Sequence, residues 1–378
     1  MTIRLYNNDS YLTVFSSVIT EITDDAIILR ETAFFPEGGG QTSDKGMLGD
    51  CEIYDVQEKD GIIYHYTRTP HSYKVGDVVE GKIDFDKRFS DMQQHSGEHI
   101  VSGLVNKTFG YDNVGFHLGH DVVTLDFNGL FTKDDLTELE RKANETVTAN
   151  KKITVTFPSP DELESIAYRS KKEIDGEVRI VEIEDTDICA CCAPHVRLTG
   201  EIGLIKIVGA DKHRGGTRMS ILCGQRAMED YRIKQEQNHG VSVALKVKEY
   251  ETADGVDRLL KKKAELEYEI GRLNLEIAKI HADMVKPAER IIIFKELNGS
   301  NLTAFADRLK EKATDFVAAF GYVDESNYQY VLCSNSIDVR PMCKELNSTL
   351  NGRGGGKPKM VQGSIHANKE EIERFFGI

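Results

Sequence analysis

Two short segments have the residue types and the spacing of a metal site. His95 and His99 lie four residues apart, so both imidazoles would project from the same face of a helix. Cys191 and His195 have the same spacing, in a turn that contains Pro194. Three imidazoles and one thiolate are a ligand set typical of tetrahedral zinc. We therefore predict one Zn²⁺ per chain, held by these two histidines, the cysteine and the third histidine.

Several alternatives to this assignment stay open. Cys189 and Cys192 flank Cys191, and either one can replace it as a ligand. Two unrelated histidines would explain His95 and His99 taken alone. A metalloprotease has Glu directly after the first His, whereas Glu98 directly precedes the second one, which argues against a protease. Four protein ligands are typical of a structural metal, and a catalytic metal needs an open position. The spacing does not decide between these roles.

Composition limits the class of protein. The chain has 378 residues, 48 basic and 62 acidic side chains, a net charge of −14, no Trp and seven Cys. The number of cysteines is odd, and three of them lie within four positions. This pattern favours metal binding or catalysis over a disulfide framework. The acidic balance argues weakly against a nucleic-acid partner. Without an apolar run near membrane length or a leader-like start, we expect a cytoplasmic protein with no membrane partner.

The elements that must position the metal ligands form an α+β multidomain chain. Short β-rich runs separated by turns predict a small β-barrel over residues 1–88. A helical pattern begins at Phe89 and carries His95 and His99. Further strand-like runs follow, so residues 89–225 are predicted to be an α+β metal-binding domain.

The remaining chain has a different periodicity. Apolar residues between Val256 and Met284 recur at alternating spacings of three and four, which predicts a coiled coil or helical hairpin in an arm over 226–287. One long amphipathic surface helix is the alternative. Residues 288–378 alternate strand and helix, including a predicted helix over 301–320, and favour a small α/β domain.

A resemblance to a known family rests on these motifs together. Residues 34–41 read Phe-Phe-Pro-Glu-Gly-Gly-Gly-Gln and are followed by Asp44 and Gly46. With the two metal pairs, they resemble the editing domain of alanyl-tRNA synthetase and its free-standing relatives, the AlaX family. The resemblance covers nearly the whole chain, because residues 352–358 look like the DHH-associated domain of the long AlaX form. Family members often have a small or amide residue at Glu98 and Cys-Gly-Gly-Thr-His where this chain has Cys-Cys-Ala-Pro-His.

The resemblance implies an editing activity in trans. The implied reaction is zinc-dependent hydrolysis of tRNA(Ala) mischarged with serine, and also with glycine. Because the barrel begins almost at Met1, we expect no class II synthetase core and no charging of tRNA. The alternative function is a non-catalytic, zinc-stabilised protein that binds tRNA or dimerises. A third hypothesis is a phosphodiesterase acting through the C-terminal domain.

Candidate site residues follow from this chemistry. Rejecting alanine requires a polar group for the serine hydroxyl, and Thr32, Gln41 and Gln94 are candidates. Gly39 and Gly40 permit a close approach of the substrate's 3′ end, with an ordinary β-turn as the alternative. His117 is a candidate general base or substrate contact, or a histidine without a role. The catalytic candidates are therefore Gln41, Gln94 and His117.

Basic residues suggest where tRNA would bind. Arg214 and Arg218 can contact terminal phosphates, or belong to a plain exposed hairpin. Between Arg340 and Lys369 there are six basic residues and one acidic residue. Arg353, Lys357 and Lys359 in this stretch are candidates for phosphate-backbone contacts, with a solvated loop as the alternative. The apolar seam also suggests a homodimer formed through the arm or the C-terminal domain.

Overall fold

The computed structural model describes residues 1–119, 121–170 and 178–378. It divides into two compact units, Met1–Gln237 and Asn238–Ile378, where the sequence suggests four parts. Within the described ranges, no helix is long and apolar enough to cross a membrane.

The first part of the N-terminal unit is a six-stranded closed barrel in the order β2-β3-β7-β6-β5-β8. Strands β7 and β8 alternate buried residues with more exposed ones at every position, so one face of each fills the barrel interior, whereas β3 is buried throughout. A short parallel pair, β1 and β4, lies outside this order. The strands are β1 (Ile3–Arg4), β2 (Val14–Ile22), β3 (Ala26–Leu29), β4 (Glu31–Thr32), β5 (Gly46–Leu48), β6 (Cys51–Lys59), β7 (Ile62–Thr67) and β8 (Val78–Ile83).

A long helix, α1 (Phe85–Phe109), follows the barrel. The Asp84 carboxylate caps its first turn by accepting from the Lys87 N–H, and Gly110 ends it in a left-handed conformation. A four-stranded sheet, β14-β15-β10-β9, and a three-stranded sheet, β11-β12-β13, complete the core around α1. The elements are β9 (Asn113–Leu118), β10 (Val123–Phe127), α2 (Lys133–Thr148), β11 (Ile153–Thr156), α3 (Pro160–Glu164), β12 (Ile180–Ile183), β13 (Asp187–Ala190), β14 (Ile205–His213), β15 (Gly216–Cys223) and α4 (Gly224–Leu245).

The C-terminal unit contains one five-stranded sheet in the order β16-β17-β18-β20-β19. Only β16 and β17 pair in parallel, and helix α6 provides their crossover. The elements are α5 (Thr252–Met284), β16 (Ala288–Lys295), α6 (Gly299–Leu309), β17 (Ala313–Asp324), β18 (Asn327–Cys333), α7 (Arg340–Thr349), β19 (Arg353–Lys357), β20 (Met360–His366) and α8 (Lys369–Phe376).

The predicted helix over 301–320 is wrong in its second half. Helix α6 ends at Leu309, and β17 begins at Ala313. The apolar run from Phe316 to Phe320 is buried on both faces, because β17 lies between β16 and β18. A strand of this kind has no period-two alternation, so its sequence pattern does not distinguish it from a buried helix.

The apolar seam of α5 is exposed. The eight apolar side chains of this seam are between 40% and 77% exposed; they are Val256, Leu259, Leu266, Ile270, Leu273, Ile277, Ile280 and Met284. A coiled coil needs a second helix against such a seam. The coiled coil therefore stays a prediction about association rather than a feature of one chain.

Candidate metal centre

Helix α1 and the loop after β13 bring the four predicted metal ligands together. His95 and His99 lie one turn apart on α1 and are almost completely buried. Cys191 and His195 enter from the loop, and the four donor atoms all lie within 4.8 Å of one another. The Cys191 Sγ is 3.4 Å from His95 Nε2 and 3.5 Å from His195 Nε2. The arrangement has the donor atoms and the spacing that one ion requires.

Each histidine also makes a second contact that orients its ring. In every case Nδ1 contacts an oxygen, which leaves Nε2 for the centre of the cluster. The three contacts are His95 with Gln41 Oε1 at 2.9 Å, His99 with Asp187 Oδ2 at 3.1 Å and His195 with Ser96 Oγ at 3.0 Å. An amide oxygen and a carboxylate accept hydrogen bonds, so they favour the tautomer that carries the proton on Nδ1.

The carboxylate behind His99 is itself fixed. Arg169 donates to both Asp187 oxygens, at 2.7 and 2.8 Å. Burial would raise the pKa of Asp187, but hydrogen bonds from His99 and Arg169 outweigh burial and lower the pKa below its ordinary value. Asp187 therefore stays a carboxylate and holds the His99 ring in one orientation.

Burial shifts the pKa of two of the four candidate ligands, His195 and Cys191. Burial, with the neighbouring His99 and His95, lowers the pKa of His195 well below its ordinary value, so this imidazole is neutral. Neutral imidazole is the form that binds a metal ion. Burial also raises the pKa of the Cys191 thiol, so a nearby cation is needed to hold it as a thiolate.

The neighbouring cysteines offer different alternatives. His99, Asp187 and Cys189 form a second group with donor atoms within 4.8 Å of one another. Asp187 already accepts from Arg169 and His99, which makes it a poorer ligand than a free carboxylate would be. Cys192 belongs to neither group among the described residues. The geometry therefore favours the set that contains Cys191.

A cavity of about 590 Å³ opens beside this cluster. His95, His99 and Cys191 line one part of it, and the glycine loop (residues 34–46) lines another through Gly38–Gly40. Apolar side chains form further walls, among them Phe116. A cavity of this size holds a small ligand or the end of a larger one.

A buried ion pair holds the glycine loop against α1. Arg88 pairs with Asp44 and also donates to the carbonyl oxygen of Ala33 at 2.6 Å. Asp44 in turn accepts from the Phe35 N–H at 2.6 Å. The Asp of the loop motif is therefore a structural residue that anchors the loop to the helix carrying the metal ligands.

Gly40 allows the loop to pack closely against β9. Its φ is +83°, and a Cβ there would lie 2.5 Å from the Phe116 ring. The Gly40 carbonyl oxygen accepts from the Leu118 N–H at 2.9 Å. Gly39 also has a positive φ, of 59°. Both glycines are required by the backbone conformation and contribute exposed backbone to the cavity wall.

None of the three predicted recognition residues, Thr32, Gln41 and Gln94, lines the cavity, and two of them are used within the fold. The Thr32 hydroxyl contacts His65 Nε2 at 2.8 Å and accepts from the Phe34 N–H at 3.1 Å, inside the barrel. The Gln94 side chain donates to the Cys223 carbonyl oxygen at 2.7 Å and accepts from the Cys223 N–H at 2.8 Å. Both side chains are fully buried, and neither lines the cavity. Their polar groups serve the packing of the fold.

The other two catalytic candidates differ in position. His117 is exposed on β9 and does not line the cavity. Gln41 is buried against the metal centre, where its Oε1 contacts His95. Its Nε2 is buried without a hydrogen-bond partner among the described residues. Gln41 is therefore the candidate with an unused donor next to the cluster.

The predicted tRNA-binding residues lie in both units. Arg214 is in the turn between β14 and β15, and Arg218 forms a bidentate pair with Asp126 at 2.7 Å. In the C-terminal unit, Arg353 and Lys357 begin and end the exposed edge strand β19. Lys359 follows in the turn, and its Nζ donates to the Asn335 carbonyl oxygen at 2.6 Å.

The residues that orient the candidate metal ligands were not predicted from the sequence. Asp187, Arg169 and Ser96 are distant from their partners along the chain or carry no motif of their own. Arg179, which lines the cavity, was not predicted either. Asp187 lies two residues before Cys189, and proximity to the cysteine cluster was the only available signal for it.

Comparison with known proteins agrees with this organisation. Residues 10–87 match the model described as class II (A) tRNA synthetases, and residues 178–219 match the second additional domain of threonyl and alanyl tRNA synthetases. Residues 288–376 match the DHHA1 domain. The second match contains Cys191 and His195, and the third corresponds to the predicted α/β domain.

The similar proteins are of two kinds. An alanine–tRNA ligase from Pyrococcus abyssi is 30% identical over 98% of this chain and 43% of the ligase, so the chain spans less than half of it. The alanyl-tRNA editing protein AlaX-L from Pyrococcus horikoshii is 28% identical over 98% of this chain and 96% of that protein. The C-Ala domain structure from Aquifex aeolicus alanyl-tRNA synthetase gives a TM-score of 0.21 at 18% identity, over 23% of this chain and 84% of that domain. Over nearly its whole length, and in its domain content, this chain is similar to the AlaX family of alanyl-tRNA editing proteins.

Proposed function

We propose that this chain is a trans-editing hydrolase that removes serine, and also glycine, from mischarged tRNA(Ala). The observation that supports it most directly is the buried His₃Cys cluster in the wall of a cavity that also presents the glycine loop. The relative that matches over nearly its whole length is named an alanyl-tRNA editing protein. An aminoacyl ester is already activated, so the protein mainly has to position water and stabilise an oxyanion.

The cluster would hold one Zn²⁺ through His95, His99, Cys191 and His195. When bound, zinc polarises an ester carbonyl and lowers the pKa of a bound water. The contacts from Asp187, Gln41 and Ser96 hold the imidazoles ready for the ion. They also make the ligand geometry independent of the substrate.

Of the three recognition candidates, Gln41 is the one that contacts the His₃Cys cluster, from a buried position directly after the cavity-lining Gly40. Its amide oxygen contacts His95, which orients the amide, and its N–H₂ has no hydrogen-bond partner among the described residues. This N–H₂ would donate a hydrogen bond to the serine hydroxyl oxygen or to the developing oxyanion. An alanyl ester would leave the donor unpaired if the hydroxyl is the partner, and this disfavours alanine.

Gly39 and Gly40 would admit the 3′ end of the tRNA. Neither has a side chain between the loop backbone and the cavity, and both have conformations that other residues rarely adopt. Phosphates farther along the tRNA would contact basic residues, for which Arg214, Arg353 and Lys357 are exposed. Arg218 is less available because Asp126 already holds it.

A deacylation assay tests the proposal. Zinc-loaded protein should release serine from Ser-tRNA(Ala) and glycine from Gly-tRNA(Ala), and should leave Ala-tRNA(Ala) intact. Failure to hydrolyse any of the three, with tRNA binding retained, would favour the non-catalytic alternative.

Self-association is the second part of the proposal. The exposed seam of α5 would pair with the same seam of a second copy, because eight apolar side chains on one helix face are costly to leave in water. Light scattering should then give about twice the chain mass of 42.4 kDa. Leu266→Glu with Ile270→Glu should give the single-chain mass, and a wild-type monomer would contradict the dimer.

A further inference from the structure

Among the residues that the structure describes, one buried arginine in the cavity wall has no counter-ion. Arg179 directly precedes β12, lines the cavity beside the metal centre and is 8% exposed. Other arginines packed around this site each pair with a carboxylate, namely Arg4 with Glu58, Arg88 with Asp44 and Arg169 with Asp187. Arg179 forms no ion pair with any residue of the ranges 1–119, 121–170 and 178–378. Buried charges are normally paired, so this guanidinium is an exception that calls for a ligand.

Its hydrogen bonds orient the guanidinium without neutralising it. Nη1 donates to the carbonyl oxygens of Cys191 at 2.7 Å and of Ala193 at 2.9 Å. Both acceptors are neutral groups. The Nε atom is buried and has no hydrogen-bond partner in the part of the chain that the structure describes. One side of the guanidinium is therefore fixed by the metal-ligand loop, while a second donor remains unused.

The metal centre cannot supply the missing negative charge. A divalent ion held by three neutral imidazoles and one thiolate leaves the cluster with a net positive charge. The groups that act electrostatically on Arg179 are the Cys191 and Cys192 thiols and the Tyr6 phenol; burial outweighs them and lowers the Arg179 pKa. Two carboxylates, Glu37 and Glu58, also line the cavity, but neither pairs with Arg179 in the described part of the chain, and Glu58 already pairs with Arg4. A bound ligand is therefore the source of anion that the cavity leaves open.

We infer that Arg179 binds the 5′-phosphate of the substrate's 3′-terminal nucleotide. The inference rests on the proposed function for the identity of the substrate. In its ground state the aminoacyl ester is uncharged at the carbonyl and its amino group is cationic, so phosphate is the anion available near the scissile bond. A planar guanidinium with an oriented N–H edge suits phosphate oxygens.

A positioning role of this kind differs from simple bracing of the Cys191 loop. Bracing needs only the two hydrogen bonds from Nη1 to backbone carbonyls, and a glutamine amide can replace part of them. Phosphate binding needs the positive charge. Arg179→Gln removes the charge and keeps a hydrogen-bond donor. Arg179→Lys keeps the charge and loses the planar, paired N–H donors of the guanidinium.

Ligand binding tests the inference without any hydrolysis. Calorimetry with zinc-loaded protein compares adenosine 5′-monophosphate with adenosine, which differ only in the phosphate. One hydrogen bond to a charged group contributes about 1.5–3 kcal/mol, so wild type should prefer the monophosphate about tenfold to hundredfold. Arg179→Gln should lose this preference, and Arg179→Lys should retain part of it. Equal affinity of wild type for both ligands would overturn the inference.

A pair of substrates then tests whether the contact between Arg179 and the phosphate contributes to hydrolysis. Seryl-adenosine and seryl-adenosine 5′-monophosphate carry the same ester, with and without the phosphate. Arg179→Gln should lower kcat/KM, mainly through KM, only for the phosphorylated substrate. Arg141→Gln, on the exposed face of α2, is the matched control and should behave as wild type.

Two other results distinguish a failure of the phosphate contact from a failure of the proposed hydrolase activity. Equal losses on both substrates together with loss of zinc, measured by elemental analysis, would show that Arg179 only braces the ligand loop, and would overturn the inference. Wild type that hydrolyses neither substrate but prefers the monophosphate would support the phosphate contact and contradict the proposed hydrolase.

Discussion

The metal centre and the edge of the C-terminal sheet are both predicted to meet the same tRNA, but they are built in opposite ways. At the metal centre, each imidazole is buried and is oriented by an oxygen of another residue. At the sheet edge, Arg353 and Lys357 project from a strand whose five residues are all exposed. The first region depends on geometry, and the second depends on charge.

This difference predicts different responses to mutation. In the buried region the loss of one group leaves its partners unsatisfied, so effects are large and are not additive. In the exposed region each cation acts through screened electrostatics, so effects are small, similar and dependent on salt.

His99→Ala should cause the largest loss. It removes one candidate ligand and also removes the imidazole that Asp187 contacts, while the Asp187–Arg169 ion pair remains. We expect zinc content to fall from one equivalent to well below it and deacylation to fall by about a thousandfold, since the metal contributes several kcal/mol to charge stabilisation. Elemental analysis and deacylation measure both effects. His239→Ala, on the exposed part of α4, is the control; full zinc occupancy in His99→Ala would refute the ligand assignment.

Asp187→Asn should produce the next largest effect. The amide can still contact His99 but no longer carries the charge that pairs with Arg169. Changes behind a metal-ligating histidine typically lower metal affinity about tenfold to hundredfold. Competition with a chelator would measure the change. An unchanged affinity would mean that the ligand cluster does not need an oriented His99.

His65 tests burial in the barrel, away from the metal. Burial lowers its folded-state pKa from 6.5 to about 4, outweighing the hydrogen bond to the Ile27 carbonyl oxygen. Because the folded value is the lower one, stability is complete above pH 6.5 and is lost as pH falls from 6.5 to 4. The expected loss at pH 5 is about 2 kcal/mol.

Denaturant titrations at pH 7.5 and 5 measure this loss. His65→Gln keeps a hydrogen-bonding group for Thr32 and does not titrate, so it should have a smaller difference between the two pH values. An equal pH dependence in this variant and wild type would assign the acid sensitivity to other groups.

Arg353→Ala and Lys357→Ala should cause the smallest effects. Each should weaken tRNA binding a few-fold and lower the slope of log affinity against log salt by about 0.7–0.9. Lys262→Ala, which removes a cation already paired with Glu265, is the control. A hundredfold loss from either single change would show that this edge is a geometric site like the metal centre.

The sequence predicted the metal ligands because each pair is local. Four-residue spacing on a helix or in a turn brings two donors together wherever the rest of the chain folds. It could not predict the contact between Asp187 and His99, which are separated by 88 positions in the sequence. Nor could it predict the contact between Ser96 and His195, which are separated by 99 positions. Thr32 and Gln94 were selected for their chemistry, and tertiary packing used their polar groups within the fold.

The sequence also predicted the alternation of strands and helices in the C-terminal unit, but it did not predict the boundary between α6 and β17. The apolar run at Phe316–Phe320 fits a buried helix and a central strand equally well. Its position between β16 and β18 decides for the strand, because the sheet satisfies its backbone hydrogen bonds on both sides. The glycine-rich segment likewise became edge strand β19 through pairing with β20.

By itself, the sequence determined the donor types and their pairwise spacing, since these depend only on neighbours along the chain. Tertiary structure alone decided which oxygens orient the imidazoles, which polar candidates are used within the fold, and that Arg179 lines the cavity without a counter-ion among the described residues. These properties arise where distant segments meet. There, burial makes an unpaired charge or donor costly enough to indicate a ligand.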